Sequence, residues 1–360
     1  MTYKNKIFIA TGGTGGHVFP AYSLAKYLIK KKYEIFLSSD LRGYKYLKNY
    51  PELKLSIINS STIFNKNLLN TFLSFFKIIF SIIKSIFLLI KIRPKLIFGM
   101  GGYSSFPLCI SAKILKIPFI IYENNLIIGK ANKYLLPYAE ALFVSYSSLE
   151  GVDEKYKGKV FETGNILREE ILNYSKEKMQ NSNEISFLIL GGSQAAKIFA
   201  EKLPNIFKDC KEDKISLKIF QQCLPDQVDK LKEDYKNSNI VSEIFNFKYN
   251  LVDYFSKIDV AITRSGSSML AELLNCNVPI ISIPLKTAAD NHQIKNARYF
   301  EEKGYGIVIE EDNIRDLYSL IKAIHKDKDI LNNIRLKQKN YSNKKVFEKI
   351  ENYIVRLLNE

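Results

Sequence analysis

The sequence predicts an α/β protein built from two Rossmann-like, doubly wound parallel sheets in tandem. Apolar runs of strand length alternate with helical patterns along the chain, which is typical of βαβ units. The alternation starts twice, and each start ends in a glycine-rich turn, GGTGG at 12–16 and GGSQ at 191–194. The length of 360 residues is sufficient for two domains. Ligands of such sheets bind beyond the carboxyl ends of the strands, so we expect an interdomain cleft.

Nine strands are predicted from short apolar runs, five in the first series and four in the second. They are Lys6–Ala10, Tyr33–Ser38, Leu96–Gly99, Phe119–Tyr122, Ala141–Val144, Ile185–Leu190, Leu217–Gln221, Val260–Thr263 and Pro279–Ile283. The two series join near Gly164, which predicts an N-terminal domain at 1–163 and a C-terminal domain at 164–340.

The composition indicates a folded protein with an anionic partner. Hydrophobic residues make up 46% of the chain, charged residues make up 25%, and the formal net charge is +16. This charge favours nucleic acid, an acidic membrane or a phosphorylated substrate. The four cysteines show no C-x-x-C spacing and there are three histidines, which argues against a structural zinc site. Scattered cysteines, and an N-terminal apolar run too short for a signal peptide, lead us to expect a reduced, cytosolic protein.

The stretch at 67–91, NLLNTFLSFFKIIFSIIKSIFLLIK, combines a narrow polar stripe with a wide apolar face. Its polar residues recur in steps of three, four or seven, so they fall on one side of a helix. Three interpretations are open: a buried crossover helix, a membrane-spanning helix, and a helix with one face on the sheet and the other on a membrane. In the third, the membrane-facing residues are Phe72, Phe76, Ile79 and Ile83, with Lys77 and Lys84 reaching anionic headgroups.

The first glycine turn, ATGGTGGHVFP at 10–20, indicates that an anionic group approaches the backbone. The dinucleotide fingerprint G-x-G-x-x-G that starts at Gly13 fails at Val18, and no G-K-[ST] follows for a P-loop. Asp40, after the second strand, keeps a nicotinamide site open as an alternative, and a purely structural turn is another. A bare turn at a helix N-terminus suits a diphosphate. His17 beside it is a candidate general base or hydrogen-bond donor to phosphate.

Polar or glycine-rich segments also follow several other predicted strands. Because parallel strands end at one edge of a sheet, such segments can line one site. They are Gly99–Pro107, Tyr122–Asn125, Gly191–Ala196, Arg264–Glu272 and Pro284–Gln293. Each also has a structural interpretation, such as helix capping, so the functional prediction depends on their shared location.

Taken in order, the segments GGTGGHVFP, GMGGYSSFP, YENN, GNILR, GGSQAA, RSGSSMLAE and DNHQIKNA resemble the motifs of the MurG family. These glycosyltransferases add N-acetylglucosamine to undecaprenyl-pyrophosphoryl-muramoyl-pentapeptide in peptidoglycan synthesis. The resemblance implies a GT-B fold, UDP-N-acetylglucosamine as donor, no cofactor, and a C-terminal helix at 341–360 that returns to the first domain. It also implies a peripheral protein on the cytoplasmic face of the bacterial inner membrane. The anionic leaflet is then an expected partner, and nucleic acid is not.

The resemblance further assigns residues of this chain to substrate binding. The matched positions are Thr14, Gly15, Gly16, Asn125, Arg168, Ser193, Ser267, Ser268, Met269, Leu270, Ala271, Glu272 and Gln293. Among them, Arg168 and Ser193 are expected near the pyrophosphate, and Glu272 is expected on the ribose. Asn125 and Gln293 are expected near the sugar.

Two motifs depart from the family pattern. HEQN is YENN here, so Tyr122 replaces histidine and Asn124 replaces glutamine, and GNPVR has become GNILR. The expected reaction inverts the anomeric carbon and needs a base, for which His17 is the first candidate and Glu123 the second. Helix N-termini and Arg168 can stabilise the leaving diphosphate, and no D-x-D arrangement suggests a tightly bound metal.

Three other functions are open at the level of sequence. A related GT-B enzyme, such as a glycolipid synthase or a UDP-sugar epimerase, would share the nucleoside site. A nucleotide-dependent oxidoreductase would use the first glycine turn despite the failed fingerprint. A basic membrane or nucleic-acid binder would leave the second glycine turn and the segment Arg264–Glu272 unexplained.

Overall fold

The computed structural model describes residues 5–60, 68–175, 183–192, 197–248, 250–341 and 343–359. The chain divides into two units, one formed by Met1–Arg168 with Asn343–Glu360 and the other by Glu169–Ser342. Each unit contains one sheet in which all neighbouring strands of the described chain run parallel. The prediction of two doubly wound α/β domains is therefore confirmed.

The first unit is built on a seven-stranded sheet. Its strands are β1 (Lys6–Ala10), β2 (Glu34–Ser39), β3 (Lys54–Ile57), β4 (Leu96–Gly99), β5 (Phe119–Glu123), β6 (Ala141–Val144) and β7 (Val160–Glu162). The helices between them are α1 (Gly15–Lys30), α2 (Leu41–Leu47), α3 (Leu68–Ile92), α4 (Gly102–Ile114) and α5 (Lys130–Leu135). The strand order β3-β2-β1-β4-β5-β6-β7 reverses between β1 and β4. Ligands of such sheets bind at this reversal, and both glycine turns of the unit follow these two strands.

The second unit repeats the arrangement with six strands. They are β8 (Ile185–Leu190), β9 (Leu217–Gln222), β10 (Val241–Phe245), β11 (Val260–Thr263), β12 (Ile280–Ser282) and β13 (Gly306–Val308). Its helices are α6 (Glu169–Leu172), α7 (Lys197–Glu212), α8 (Val228–Asn237), α9 (Val252–Phe255), α10 (Ser267–Asn275), α11 (His292–Glu302), α12 (Asp316–Lys326) and α13 (Asp329–Gln338). The order β10-β9-β8-β11-β12-β13 reverses between β8 and β11.

The last helix, α14 (Val346–Asn359), packs on α1 of the first unit. The ring of Tyr27 stacks on that of Phe347 with their centroids 4.8 Å apart. The hydroxyl of Tyr27 also donates to the Glu351 carboxylate at 2.7 Å. Burial and this carboxylate together raise the pKa of Tyr27 above its usual range.

All nine predicted strands are present, and their ends differ from the prediction by at most one residue. Four strands were missed: β3, β7, β10 and β13. These are the edge strands of the two sheets. The strands β3 (KLSI) and β10 (VSEIF) are partly exposed and lack the continuous apolar run of a central strand, and β7 and β13 are only three residues long.

The long helix α3 corrects one interpretation of the apolar stretch at 67–91. Its serines Ser74, Ser81 and Ser85 are buried, whereas many of its large apolar residues are exposed. The exposed residues are Phe72, Phe75, Phe76, Ile79, Phe80, Ile83, Phe87 and Ile90. The interpretation of this stretch as a deeply buried crossover helix is therefore wrong. The helix packs its small polar residues inward and exposes many of its large apolar residues.

Serine hydroxyls allow this inverted packing. Ser81 donates to the carbonyl of Lys77 at 2.8 Å, and Ser85 donates to that of Ser81 at 2.7 Å. On the neighbouring helix α4, Ser111 donates to the carbonyl of Ile82 at 3.0 Å. The hydroxyls are thus satisfied within the packed face. As for the membrane-spanning interpretation, the described part of the chain contains no helix that is both long and apolar enough to cross a bilayer.

Candidate active site

The first glycine turn is held open by the carboxylate of Asp40. Its Oδ1 atom accepts the N–H groups of Gly13 at 2.8 Å and of Gly43 at 2.9 Å. There is no room for a side chain at Gly12, since a Cβ there would lie 2.6 Å from Ser104 and 2.8 Å from Asp40 Oδ1. Gly13 has a φ of +79°, which favours glycine. The turn therefore brings a bare backbone to the N-terminus of α1.

Asp40 is buried, and both of its carboxylate oxygens accept hydrogen bonds from nearby residues of the protein. Its Oδ2 atom accepts the Arg42 guanidinium, with Nε and Nη2 each at 3.0 Å. Burial alone would raise the pKa of Asp40, but the hydrogen bonds from Gly13, Gly43 and Arg42 outweigh it and hold that pKa below its usual range. The residue that kept a nicotinamide site open thus organises the glycine turn and caps α2.

We expect Asp40→Asn to lower the midpoint temperature of unfolding near neutral pH, because hydrogen bonds to a charged group contribute about 1.5–3 kcal/mol. The native pKa of Asp40 is depressed, so its contribution is present above the unfolded value of about 3.9 and is lost as the pH falls through the native pKa. The difference between variant and wild type should therefore narrow in acid. Melts across this range measure it, with exposed Asp316→Asn as control; a pH-independent difference would contradict the assignment.

His17 connects the two glycine turns of the first unit. It lies in the first turn of α1, and its ring packs on the backbone at the start of α4. A Cβ added at Gly101 would lie 3.4 Å from His17 Cε1, and one at Gly102 would lie 3.6 Å from His17 Nε2. Both glycines have a positive φ, so no other residue would fit without strain. The ring of His17 is therefore at the strand reversal where a ligand is expected.

The segment after β5 adds a buried carboxylate to the same edge of the sheet. Glu123 is 3% exposed, and its Oε2 atom accepts the N–H of Gly129 at 2.9 Å and Asn132 Nδ2 at 3.0 Å. Its Oε1 atom accepts the backbone and side-chain N–H groups of Asn125. Both oxygens thus hold the loop, an arrangement that favours a positioning role over that of a mobile base.

Asn124 joins this loop to the first glycine turn. Its Nδ2 atom donates to the carbonyl of Gly16 at 3.1 Å, and its Oδ1 atom accepts Asn125 Nδ2 at 3.0 Å. The family glutamine is thus replaced by a shorter amide that contacts the turn directly. Thr14, Gly15, Gly16, His17 and Asn125 therefore belong to one connected group.

Arg168 also reaches the first glycine turn. Its guanidinium carbon lies 5.6 Å from the ring centroid of Phe19, which is in α1. Phe19 lies in turn against Gly15, where an added Cβ would be 2.9 Å from the ring. A positive charge is thereby held beside the helix N-terminus, and both features attract anions.

In the second unit, the segment at 267–272 forms the start of α10. Ser267, Leu270, Ala271 and Glu272 are buried, and Ser268 and Met269 are partly exposed. Glu272 is thus a carboxylate one turn inside a helix whose N-terminus follows β11, next to the strand reversal. Ser193, assigned to the preceding glycine turn, lies outside the described residues.

Gln293 ties together two strand ends of the second unit. Its Oε1 atom accepts the N–H of Ser265 at 3.2 Å and that of Leu285 at 3.0 Å. Because both partners are donors, the side-chain oxygen is fixed and the amide nitrogen is directed elsewhere as a donor. Two left-handed residues, Asp290 and Asn291, bring α11 into this position.

Several residues that organise the site were missed in the sequence. Asn132 Nδ2 donates to the carbonyl of Tyr122 at 2.9 Å, and Asn296 Nδ2 donates to that of Ser265 at 3.1 Å. Both are buried amides on helices, which no local motif marks. The capping role of Asp40 had a usable signal, since aspartate is a preferred residue directly before the start of a helix.

Comparisons with known proteins agree with this arrangement. Residues 7–144 match the glycosyltransferase family 28 N-terminal domain, and residues 186–353 match the C-terminal domain of the same family. The UDP-N-acetylglucosamine–N-acetylmuramyl-(pentapeptide) pyrophosphoryl-undecaprenol N-acetylglucosamine transferase of Pelagibacter ubique is 35% identical over 99% of both chains. The protein of that name from Rickettsia canadensis is 35% identical over 92% of both. The crystal structure of Acinetobacter baumannii MurG covers 98% of this chain and is itself covered to 99%, with a TM-score of 0.78 at 21% identity.

Proposed function

The chain belongs to glycosyltransferase family 28 and, within it, to the MurG family of N-acetylglucosamine transferases, and from this membership we propose how its residues carry out the transfer. The enzyme moves N-acetylglucosamine from UDP-N-acetylglucosamine to the muramoyl-pentapeptide carried by pyrophosphoryl-undecaprenol. The observation that carries the assignment of residues is the contact of His17 with the glycine turn at Gly101 and Gly102, at the strand reversal of the first unit.

In the proposed reaction, an acceptor hydroxyl attacks the anomeric carbon of the donor from the side opposite UDP, which inverts that carbon. The hydroxyl proton passes to the imidazole of His17, and the bond to UDP breaks with the electron pair on the diphosphate. The N–H groups at the start of α1 and the guanidinium of Arg168 stabilise developing negative charge. Glu123 keeps Asn125 in place for a sugar hydroxyl through the hydrogen bonds to its Oε1 atom.

The second unit is proposed to bind the donor. The segment Ser267–Glu272 surrounds the nucleoside, and the carboxylate of Glu272 accepts hydrogen bonds from ribose hydroxyls. The fixed orientation of Gln293 supports its proposed role as a hydrogen-bond donor to the sugar. Ser193 is proposed to contact the diphosphate.

The deciding experiment assays purified protein with labelled UDP-N-acetylglucosamine and the lipid-linked muramoyl-pentapeptide, comparing wild type with Glu272→Gln. We expect the labelled sugar on the lipid. In the variant, the KM for the donor should rise about 10- to 100-fold because charge-assisted hydrogen bonds to the ribose are lost. Glu302→Ala, an exposed carboxylate on α11, serves as control. Free epimerised sugar instead of transfer would point to a UDP-sugar epimerase, and a normal donor KM in Glu272→Gln would remove the ribose assignment.

We further propose that the exposed face of α3 docks on an anionic membrane, at the cytoplasmic side of the cell membrane. Phe80 and Phe87 are each 70% exposed, and the other outward apolar residues continue the same face. Monomeric proteins rarely expose such a large contiguous apolar patch without a partner. Lys77 and Lys84 are exposed at its side, where they can reach headgroups. The acceptor carries an undecaprenyl chain, so this contact would bring the enzyme to its substrate.

A further inference from the structure

We infer that Tyr122 is a positioning residue, whose hydroxyl anchors the segment 164–168 so that Arg168 stays beside the first glycine turn. This inference rests on the proposed function, since it concerns how a group that stabilises the diphosphate is held. Tyr122 is the residue at which the YENN motif departs from the family's HEQN.

The hydroxyl of Tyr122 is a buried hydrogen-bond centre. The side chain is 2% exposed at the carboxyl end of β5. Its oxygen lies 2.9 Å from Ser145 Oγ and 3.3 Å from the carbonyl of Gly164, and it accepts the N–H of Ile166 at 3.1 Å. A phenol has one proton to donate and two lone pairs, so all three contacts can be made at once. Phenylalanine here would leave a buried backbone donor without this acceptor.

A second hydrogen bond, from a residue distant in sequence, holds the same segment. Asn343 Oδ1 accepts the N–H of Asn165 at 3.0 Å. Gly164 has a φ of +98°, and a Cβ there would lie 2.8 Å from Asn343 Oδ1. The backbone is thus fixed at three consecutive residues, Gly164, Asn165 and Ile166.

Arg168 is only two residues beyond this anchored stretch. Leu167, between them, is buried, so the chain has little freedom before it reaches Arg168. The guanidinium then lies over Phe19 beside the start of α1. Recognition of a diphosphate by arginine depends on the alignment of the N–H fork, and a displacement of about 1 Å at a catalytic group can cost roughly 100-fold in rate.

The anchor depends on the length and the hydroxyl of tyrosine. An imidazole is shorter than a phenol, so histidine at this position would not contact the Ile166 N–H without a shift of the backbone. The hydrogen bond from Asn132 Nδ2 to the Tyr122 carbonyl involves only the main chain of Tyr122, so substitution of the side chain leaves its acceptor in place. The phenol hydroxyl thus links the end of β5 to the segment that carries Arg168.

A double-mutant cycle tests the inference. Tyr122→Phe should lower kcat/KM about 10-fold, and Arg168→Ala about 100- to 1,000-fold. If Tyr122 acts through Arg168, the double variant should be no slower than Arg168→Ala within about two-fold. Tyr122→Phe should also change the same kinetic parameter, kcat or KM, as Arg168→Ala. The matched control is Tyr27→Phe, which loses a hydroxyl contact to Glu351 elsewhere in the unit and should melt earlier without a change in kcat/KM.

Amide hydrogen exchange gives a readout that does not need activity. Exchange at Ile166 should be about 10-fold or more faster in Tyr122→Phe than in wild type, and unchanged in Tyr27→Phe. Multiplicative losses in the double variant, or normal kcat/KM in Tyr122→Phe, would overturn the inference. If wild type transfers no sugar, the proposed function fails, and exchange at Ile166 alone decides whether Tyr122 anchors the segment.

Discussion

His17→Ala is expected to lower kcat by about 100- to 10,000-fold while the KM for UDP-N-acetylglucosamine stays within about two-fold of wild type. The imidazole is the proposed acceptor of the hydroxyl proton, so its loss acts on the transition state and not on donor binding. Steady-state kinetics with the donor varied at saturating acceptor give both parameters.

The control for this variant is His325→Ala, which removes a histidine from α12 in the second unit. It should retain normal kinetics, and thermal melts of both variants establish that any loss of activity is measured on folded protein. Turnover near the wild-type rate in His17→Ala would contradict the assignment of the base. A raised KM for the donor with normal kcat would instead indicate that His17 binds phosphate.

Glu123 is a weaker candidate for the base because of its hydrogen bonds. A general base needs a lone pair directed at the substrate. Both oxygens of Glu123 accept N–H groups from the loop that follows β5, and the side chain is almost completely buried. The carboxylate that a sequence motif offers as a base is here the group that shapes the loop. Hydrogen bonding of this kind is invisible in the sequence, because it depends on where Gly129 and Asn132 fold back.

The central part of each sheet could be predicted because burial on both faces leaves a direct record in the sequence. Runs such as KIFIA and ISFLIL are apolar apart from Lys6 and Ser186, and they end in glycine turns. Edge strands such as β3 and β10 lack such a run, since polar residues interrupt the apolar ones in KLSI and VSEIF. The order of strands, and hence the reversal between β1 and β4, follows from packing between distant segments and was not available from local patterns.

Some residues of the candidate site could likewise be predicted from local sequence, and others could not. Residues on the turns after β1 and β4 could be predicted because glycine is required there by close approach, as at Gly12, or by a positive φ, as at Gly101. The residues that hold the turns could not, because their partners are far away in sequence. Asp40 is 27 residues from Gly13, and Tyr122 is 44 residues from Ile166. Long-range hydrogen bonds of this kind decide the geometry of a site without forming a motif.

The helix α3 is a third case. Its pattern of polar and apolar residues was visible in the sequence, but the face that packs on the protein could not be predicted. Its narrow serine and lysine stripe would ordinarily be the solvent face of a helix. In the structure, three serines of the stripe pack inward, while Lys77 and Lys84 remain exposed beside the apolar face. Serine is small enough to allow close approach of α4 and donates its hydroxyl to a backbone carbonyl, whereas a buried lysine would carry an uncompensated charge. The apolar face of α3 therefore points outward, and its exposure to water is unfavourable.

Phe80→Glu combined with Phe87→Glu is therefore expected to weaken binding to anionic phospholipid vesicles by about 100-fold. Full burial of a phenylalanine contributes about 1.5–3 kcal/mol, so two partly buried rings contribute roughly 3 kcal/mol, or a factor of about 100 in affinity. Vesicle sedimentation at graded lipid concentrations measures this. Binding should also fall with salt, because exposed lysines such as Lys77 contribute about 1 kcal/mol each near an anionic surface.

A matched control separates the docking face from surface hydrophobicity in general. Val241→Glu with Leu336→Glu replaces two exposed apolar residues of the second unit, 60% and 58% exposed, and should leave vesicle binding unchanged. The α3 variant should transfer sugar at the wild-type rate to an acceptor dissolved in detergent, and lose rate only when the acceptor is embedded in vesicles. Equal vesicle binding by wild type and the α3 variant would show that the protein binds the membrane through a different surface. An equal loss of rate in detergent would show that α3 supports the active site and not the membrane contact, because a docking surface acts on the local concentration of the acceptor and not on the chemical step.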